Sequence, residues 1–369
     1  MAEPAAPVRI AAWGCITPFG DASATHAALL RSECALRSVP CRGRAGGDAV
    51  PLALIGDRAL DEQAPPEWLA PIRRLGASIP DGDWGSAGHP VFVTGSNFGV
   101  GGLYALRKTG DPVFAGWGAP PTCTERLREE MGWGPDVSIL SHACISAHLG
   151  LLQAARAIES GLAEEVLVFS FDFLSPFVAG GFHALKILNS GFPSPYHERE
   201  AGAIGLGDGA AFAVLARGRG AWRIEGQSVY NEMHHFTSNR ADGSGFRACL
   251  EPVVRAARGR RIWFKGHGTG TLDAGRMELA AAAGAFPQAP VVGWKGSLGH
   301  TLGSCGLVEL AVAIEALRAG RTPGTVGGNG VPMGEFVAAA AFDNGEFDGA
   351  VCASNAFGGA HAAFLLSHA

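Results

Sequence analysis

The sequence predicts an α/β fold, and three observations support that prediction. Short apolar runs that read as buried strands alternate along the 369 residues with longer stretches at helical spacing. Hydrophobic residues make up 47% of the chain and charged residues only 17%, as expected for a large buried core. Side chains able to do chemistry follow directly after the apolar runs, which is where open α/β sheets place their sites.

Each element of the first half is predicted from an apolar run and the turn that ends it. Strands are predicted at Val8–Trp13, Pro90–Gly95, Val166–Phe169 and within the glycine-led segment Ala203–Ala216. Helices are predicted at Ser23–Arg31, Trp68–Gly76, Thr122–Met131 and Phe182–Leu188. Ser23 is the expected cap of its helix, and Ser96–Gly102 is expected to be a tight turn.

The second half repeats this alternation after Arg217–Gly220, a glycine-rich joint. Strands are predicted at Trp222–Tyr230, Arg261–Lys265, Val291–Trp294, Gly349–Ser354 and His361–Ser367. Helices are predicted at Arg276–Ala285 and Leu302–Ala319. We therefore expect two similar halves, residues 1–217 and 218–369.

Composition narrows the class of function. The net charge of −5 gives no overall basic surface for nucleic acid. Eight cysteines are scattered singly without a CxxC pair, so we expect reduced thiols and no metal site. No apolar stretch is long enough for a transmembrane helix. The N-terminus lacks the basic segment followed by an apolar run that is typical of a signal peptide, so no signal peptide is expected. A cytoplasmic location is the expectation.

Cys144 is the first candidate for chemistry. It lies where an apolar strand beginning near Asp136 turns into a helix, so backbone N–H groups and the helix dipole are expected to lower its thiol pKa. A buried core cysteine is the alternative. His267 follows a second strand end, and Lys295 and His300 both follow a third; each alone could be an ordinary loop, capping or surface residue. A thiol with two imidazoles on such turns fits covalent acyl chemistry.

These residues lie in motifs that resemble those of the β-ketoacyl synthases of the thiolase fold. The resemblance is strongest to the free-standing synthases, which work with an acyl carrier protein. The matching segments run in order along essentially the whole chain: Pro18 in CITPFG, Ala143-Cys144, Phe182–Lys186, His267–Thr271, Lys295–Glu309 and Ser354–Ala362. The resemblance implies two similar βαβαβ-containing halves packed as five layers, α/β/α/β/α. It also implies decarboxylative Claisen condensation on a malonyl carrier, in fatty-acid, polyketide or related metabolism.

The resemblance assigns roles to particular residues. Cys144 would carry the acyl group, and His267 and His300 would hydrogen-bond the malonyl thioester oxygen. Lys295 would polarise the surroundings of His300. The residues assigned a supporting role are Glu309, Thr269, Thr271, Gly358 and Gly359. The backbone N–H groups of Cys144 and Phe357 would form an oxyanion hole, and the Phe357 side chain would also act as a gate. Ile145 and Ala147 would line the substrate pocket. The sequence departs from the family's pattern at Ile145 and Ala147, at Gly275 with Glu278 as the nearby acid, at Asn355-Ala356 and at His361.

Two other functions remain open at this stage. One is an acyltransferase that moves an acyl group from the carrier to another acceptor without condensation. The other is a non-catalytic partner subunit, which the presence of Cys144, His267 and His300 disfavours. No cofactor is expected beyond the phosphopantetheine of the carrier. The resemblance implies a dimer, with itself or a related chain, through the strand before the elbow helix, and Arg73, Arg74, Arg107 and Lys108 are candidates by charge for carrier docking.

Overall fold

The computed structural model describes residues 6–41, 49–56, 60, 65–235, 238–328 and 330–369. The strands in these ranges, numbered in chain order, are β1 Val8–Ile16, β2 Arg37–Pro40, β3 Ala49–Ala53, β4 Val91–Thr94, β5 Val137–Leu140, β6 Glu165–Asp172, β7 Leu206–Gly207, β8 Gly209–Arg217, β9 Trp222–Asn231, β10 Ile262–Lys265, β11 Val291–Val292, β12 Arg321–Thr322, β13 Phe342–Asp343, β14 Gly349–Ala356 and β15 Ala360–His368. The α-helices are α1 Ala22–Leu30, α2 Pro65–Gly76, α3 Val100–Thr109, α4 Pro120–Met131, α5 Ser146–Glu159, α6 Pro176–Ala184, α7 Ser244–Ala256, α8 Leu272–Ala285, α9 Lys295–Leu298 and α10 Cys305–Ala319.

Ten strands form one mixed sheet with the order β11-β10-β14-β15-β9-β1-β8-β6-β4-β5. When the five strands of each half are numbered by their place in the chain, both halves have the order third, second, fourth, fifth, first. The second strand pairs parallel with the third and fourth, and the fifth runs antiparallel to its neighbours. The halves join where β1 meets β9 through Arg9 with Arg223 and Ile10 with Trp222. We propose residues 1–217 and 218–369 as these two halves, because that boundary falls between β8 and β9.

Helices α5 and α10 form the middle layer of the fold. They pack on each other, and each contacts strands of both half-sheets: α5 lies on β6 and β15, and α10 lies on β8 and β14. Helices α2 and α4 cover the other face of the first half-sheet, while α7 and α8 cover the other face of the second. The predicted α/β class and five-layer thiolase-like arrangement are confirmed.

Burial on both faces explains why the central strands read as continuous apolar runs. In β6, Val166 and Val168 face the middle layer, while Leu167 and Phe169 face α2 and α4. Each such side chain contributes about 1.5–3 kcal/mol on burial. Helix α10 is apolar nearly all round for the same reason, since both its sides meet a half-sheet.

Most predicted elements are present, with bounds that shift by a few residues, and several predictions are wrong. The cap of α1 is Asp21, whose side chain accepts from the Ala24 backbone N–H, and not Ser23. The helix predicted at Phe182–Leu188 lies earlier, because Ser175 caps α6 and Pro176 occupies its first turn. The expected turn at Ser96–Gly102 instead runs into α3, and α7 was not predicted.

None of the helices in the described ranges combines the length and hydropathy that a transmembrane span requires. The expected absence of a signal peptide depends in part on residues 1–5, which lie outside the described residues.

Candidate active site

Cys144 lies on a tight turn between β5 and α5. Ala143 immediately before it has φ 45°, a left-handed conformation that a residue with a Cβ adopts at some cost. The hydroxyl of Ser146 accepts from the His142 N–H at 2.8 Å and donates to the Ala143 carbonyl at 2.7 Å, which fixes the turn. The thiol is 8% exposed. The predicted strand-to-helix elbow is present, and it presents the sulfur at the first turn of the middle-layer helix.

His300 brings an imidazole from the second half to this sulfur. Its Nε2 lies 3.0 Å from Cys144 Sγ. Its Nδ1 accepts a hydrogen bond from the Leu302 backbone N–H at 3.1 Å, so a neutral ring carries its proton on Nε2. His300 therefore donates to the sulfur, and this interaction is stronger for a thiolate than for a thiol.

His267 stands beside His300 with the ring centroids 4.9 Å apart and the planes nearly perpendicular. Its turn is anchored by Glu278 of α8, which accepts from the backbone N–H groups of His267 and Gly268, and from the Tyr196 hydroxyl at 2.7 Å. Nδ1 of His267 is buried and has no hydrogen-bond partner among the described residues. Such an atom costs free energy until a bound group satisfies it, which suits a substrate-binding role.

Burial controls the ionisation of this group. It raises the pKa of the Cys144 thiol, an effect that Cys305 reinforces and Lys295 opposes. The expectation of a lowered thiol pKa is thus wrong for the unloaded site. Burial and the charge of Lys295 hold the pKa of His267 and of His300 well below the ordinary value. Both imidazoles are therefore neutral at physiological pH and can act as N–H donors.

Lys295 and Glu309 form a buried ion pair behind the histidines. Lys295 Nζ donates to Glu309 Oε1 at 2.7 Å. Burial acts to lower the pKa of Lys295, but Glu309, Cys305 and Glu278 together raise it above its ordinary value. A second lysine, Lys265, donates to the other carboxylate oxygen. All three side chains are almost fully buried. Sequence reasoning identified Lys295 and Glu309 but missed Lys265, because that residue reads as the end of an apolar strand.

The predicted pocket and supporting residues lie close to Cys144. Ile145 and Ala147 are fully buried, and Ile145 packs with Cys144 against a group of small residues: Ala356, Ala360 and Ala362. The hydroxyls of Thr269 and Thr271 lie 3.1 Å apart on the His267 turn. The structure therefore places bulky Ile145 directly against the thiol side of the site.

Phe357 lies on the turn between β14 and β15, next to this cluster. It is 38% exposed and stacks on Phe182 with ring centroids 6.0 Å apart, so it is not a core residue. Gly358 and Gly359 follow with φ of 85° and 70°, which the tight turn requires. An exposed aromatic on a glycine turn suits the predicted gate.

A buried hydrogen-bonded chain anchors that turn, and sequence reasoning did not find it. His361 Nδ1 lies 2.7 Å from Asn355 Oδ1, and His361 Nε2 lies 2.7 Å from Glu232 Oε1. The sequence marks Asn355 and His361 as departures from the family's pattern, but the pairing of His361 with Glu232, 129 residues away, has no local signal.

The geometry favours acyl chemistry over metal binding. Donor atoms of Cys144, His267 and His300 lie within 4.8 Å of one another, a spacing that a metal ion also accepts. The buried ammonium groups of Lys265 and Lys295 interact with both imidazoles and oppose a cation there.

Comparisons with known proteins bear on this site. Residues 223–329 match the family described as β-ketoacyl synthase, C-terminal domain. The chain is 30% identical over 216 residues to the chloroplastic 3-oxoacyl-[acyl-carrier-protein] synthase II of Arabidopsis thaliana, covering 53% of this chain and 40% of that protein. It is 29% identical over 224 residues to the tetracenomycin polyketide synthase ketoacyl synthase alpha subunit of Streptomyces glaucescens, covering 55% and 52%. The chain spans about half the length of the curated relatives it matches.

A solved structure shows that the likeness in fold is complete. A chain from the complex of the ketosynthase ApeO with its chain length factor ApeC from Xenorhabdus doucetiae superposes with a TM-score of 0.80 at 19% identity, covering 100% of both chains. The resemblance to β-ketoacyl synthases predicted from the sequence is confirmed.

Proposed function

Because the chain is a relative of the β-ketoacyl synthases and has their fold, we propose that it is a condensing acyltransferase that uses Cys144 as its nucleophile. The observation that carries this proposal is the convergence of His300 Nε2 on Cys144 Sγ at 3.0 Å, with His267 against His300. A thiol alone would suffice for loading. Two neutral imidazoles beside it supply donors for a negative charge that develops during reaction.

The proposed reaction has three steps. The Cys144 thiol attacks an acyl-carrier thioester; as the bond from Cys144 Sγ to the acyl carbon forms, the thiol proton passes to the departing carrier sulfur, and the carrier leaves as its free thiol. A malonyl carrier then binds with its thioester oxygen at His267 and His300, and breaking the bond to its carboxylate releases carbon dioxide and leaves an enolate. The enolate carbon attacks the Cys144 thioester, which yields a β-ketoacyl carrier and releases the Cys144 thiolate, and this thiolate regains a proton from water.

The remaining residues have supporting roles in the proposal. The backbone N–H groups of Cys144 and Phe357 would hold the oxyanion of the thioester steps. Ile145 and Ala147 would limit the acyl group, since both are fully buried and Ile145 packs in one cluster with Cys144. The reaction needs no cofactor other than the phosphopantetheine arm that carries the substrates.

We propose two protein partners. One is an acyl carrier protein, as the names of the curated relatives imply. Of the candidate docking residues, Arg73 is already paired with Glu130, which favours Arg74, Arg107 and Lys108. The other partner is a second copy or a related chain, since the ApeO ketosynthase was solved with its chain length factor. Strand β5, at the edge of the described sheet, is the predicted contact.

Mass spectrometry with a panel of acyl carriers, with and without a malonyl carrier, tests the proposal. We expect an acyl mass on the protein, release of carbon dioxide, and a product two carbons longer than the starter. An acylated acceptor without carbon dioxide release would select the simple acyltransferase. Absence of both loading and carbon dioxide release would select a non-catalytic subunit.

A further inference from the structure

Lys265 is a fully buried lysine at the end of β10, and the reaction above gives it no role. A lysine so placed is rare unless it is paired. Its ammonium group donates to Oε2 of Glu309, while the ammonium group of Lys295 donates to Oε1 of the same carboxylate at 2.7 Å. One carboxylate thus holds two lysines.

The two lysines belong to the two different histidine segments. Lys265 ends the strand that leads into His267 two residues later. Lys295 begins α9, which leads into His300 five residues later. Glu309 lies on α10 in the middle layer, so its carboxylate bridges both segments from a rigid element.

Charge balance does not explain why Lys265 contacts Glu309. Glu309 already pairs with Lys295, and a second buried carboxyl group, that of Glu278, interacts with both lysines. Lys265 nevertheless hydrogen-bonds Glu309, and the removal of its ammonium from water costs free energy. An apolar side chain of the same length would fill that space at lower cost. The ammonium group of Lys265 adds an ion pair between β10 and α10 directly before the His267 turn.

We propose, on the premise of the function above, that Lys265 is a positioning residue that acts through Glu309 to fix the His267 turn against the His300 turn. The two rings must meet one thioester oxygen, and a misplacement of about 1 Å can cost roughly a hundredfold in rate. Without Lys265 the Lys295–Glu309 pair remains, so the His300 turn stays tied. The His267 turn then keeps its hydrogen bonds to Glu278 but loses its connection through Lys265 to Glu309 on α10.

A double-mutant cycle on Lys265 and Glu309 tests this role. Lys265→Met retains the side-chain length and removes the ammonium. Carbon dioxide release from malonyl carrier should fall about tenfold to a hundredfold in kcat, with KM and acyl loading of Cys144 within about twofold of wild type. In a Glu309→Gln background shown to be folded by circular dichroism, Lys265→Met should lower the kcat of carbon dioxide release by a further factor of less than about two. Losses that multiply, or an equal loss of loading, would overturn the proposal.

A second measurement needs no substrate and so separates this proposal from the proposed function. In ¹⁵N-histidine spectra of the full chain, Lys265→Met should move the imidazole resonances of His267 and His300 and leave that of surface His89 in place. Unchanged His267 and His300 resonances would contradict the positioning role, whether or not the wild type releases carbon dioxide. If Lys265→Met does not fold, Lys265→Leu, which also removes the N–H donor to Glu309, takes its place in both experiments.

Discussion

In the first half of the sheet, the third strand in chain order, β5, leads into Cys144; in the second half, the third strand, β11, leads into Lys295 and His300. Each of these segments precedes one of the two middle-layer helices, α5 and α10, which pack on each other. One topology repeated twice therefore delivers a thiol and an imidazole to the same point. In the proposed reaction, the nucleophile comes from one half and the hydrogen-bond donors come from the other.

The second and fourth strands extend the comparison. In the first half, Asp172 at the end of β6 accepts from the backbone N–H groups of Ser96 and Asn97 after β4, at distances of 2.7–3.2 Å. In the second half, the strand equivalent to β4 ends in Lys265, which binds the side chain of Glu309. Backbone amides satisfy the buried carboxylate of the first half, while two ammonium groups satisfy that of the second. The Asp172 cluster ties two strands of the first half together. The Glu309 cluster also lies directly behind His267 and His300.

Cys144→Ala gives the largest effect that this division of roles predicts. Acyl loading should be abolished, because only this sulfur lies against His300, and intact mass spectrometry after incubation with an acyl carrier measures it. Cys305→Ala is the matched control, since Cys305 Sγ is buried only 3.3 Å from the Cys144 carbonyl oxygen. An acyl mass that persists in Cys144→Ala, or disappears in Cys305→Ala, would refute the assignment.

Glu309→Gln tests the carboxylate of the second half. It leaves two buried ammonium groups without a counter-charge, so the free energy of unfolding should fall by about 3–5 kcal/mol. Urea denaturation measures this. Glu251→Gln, on helix α7 in an exposed pair with Arg255, should cost about 1 kcal/mol or less. Similar losses in the two variants would mean that Glu309 is not a buried counter-ion.

Asp172→Asn tests the carboxylate of the first half by its pH dependence. Burial raises the pKa of Asp172 to about 7 from the ordinary 3.8. The folded state therefore binds the proton more tightly, and this group lowers the free energy of unfolding as pH rises from about 4 to 7. The stability of wild type minus that of Asp172→Asn should fall by on the order of 3 kcal/mol across this range in urea titrations. A difference that does not vary with pH would contradict the buried, protonated carboxyl.

The sequence predicts the fold class well for a physical reason. Strands covered on both faces, such as β6 and β10, leave continuous apolar runs that are visible without any partner. Helix α7 was missed because Pro252 lies inside it, and α6 was misplaced because Gly180 and Gly181 disfavour a helix that tertiary packing and the Ser175 cap nevertheless form.

The proposed catalytic residues could be found because each stands on a turn that directly follows a strand. Cys144, His267 and His300 carry that local signal, and the structure brings all three together. Lys265 has no such signal, since its partner Glu309 lies 44 residues away on another helix. The elevated pKa of the Cys144 thiol was also beyond sequence reasoning, because the degree of burial depends on how the two halves pack.

His267→Ala separates the roles of the two halves most directly, because this ring packs against His300, and it is His300 whose Nε2 lies 3.0 Å from the sulfur. Acyl loading of Cys144 and carbon dioxide release from malonyl carrier are measured on the same sample. We predict that loading stays within about twofold of wild type while carbon dioxide release falls roughly 10²–10³-fold, the usual cost of losing one such donor. Equal losses of the two activities, or carbon dioxide release at the wild-type rate, would contradict the division of the reaction between the halves.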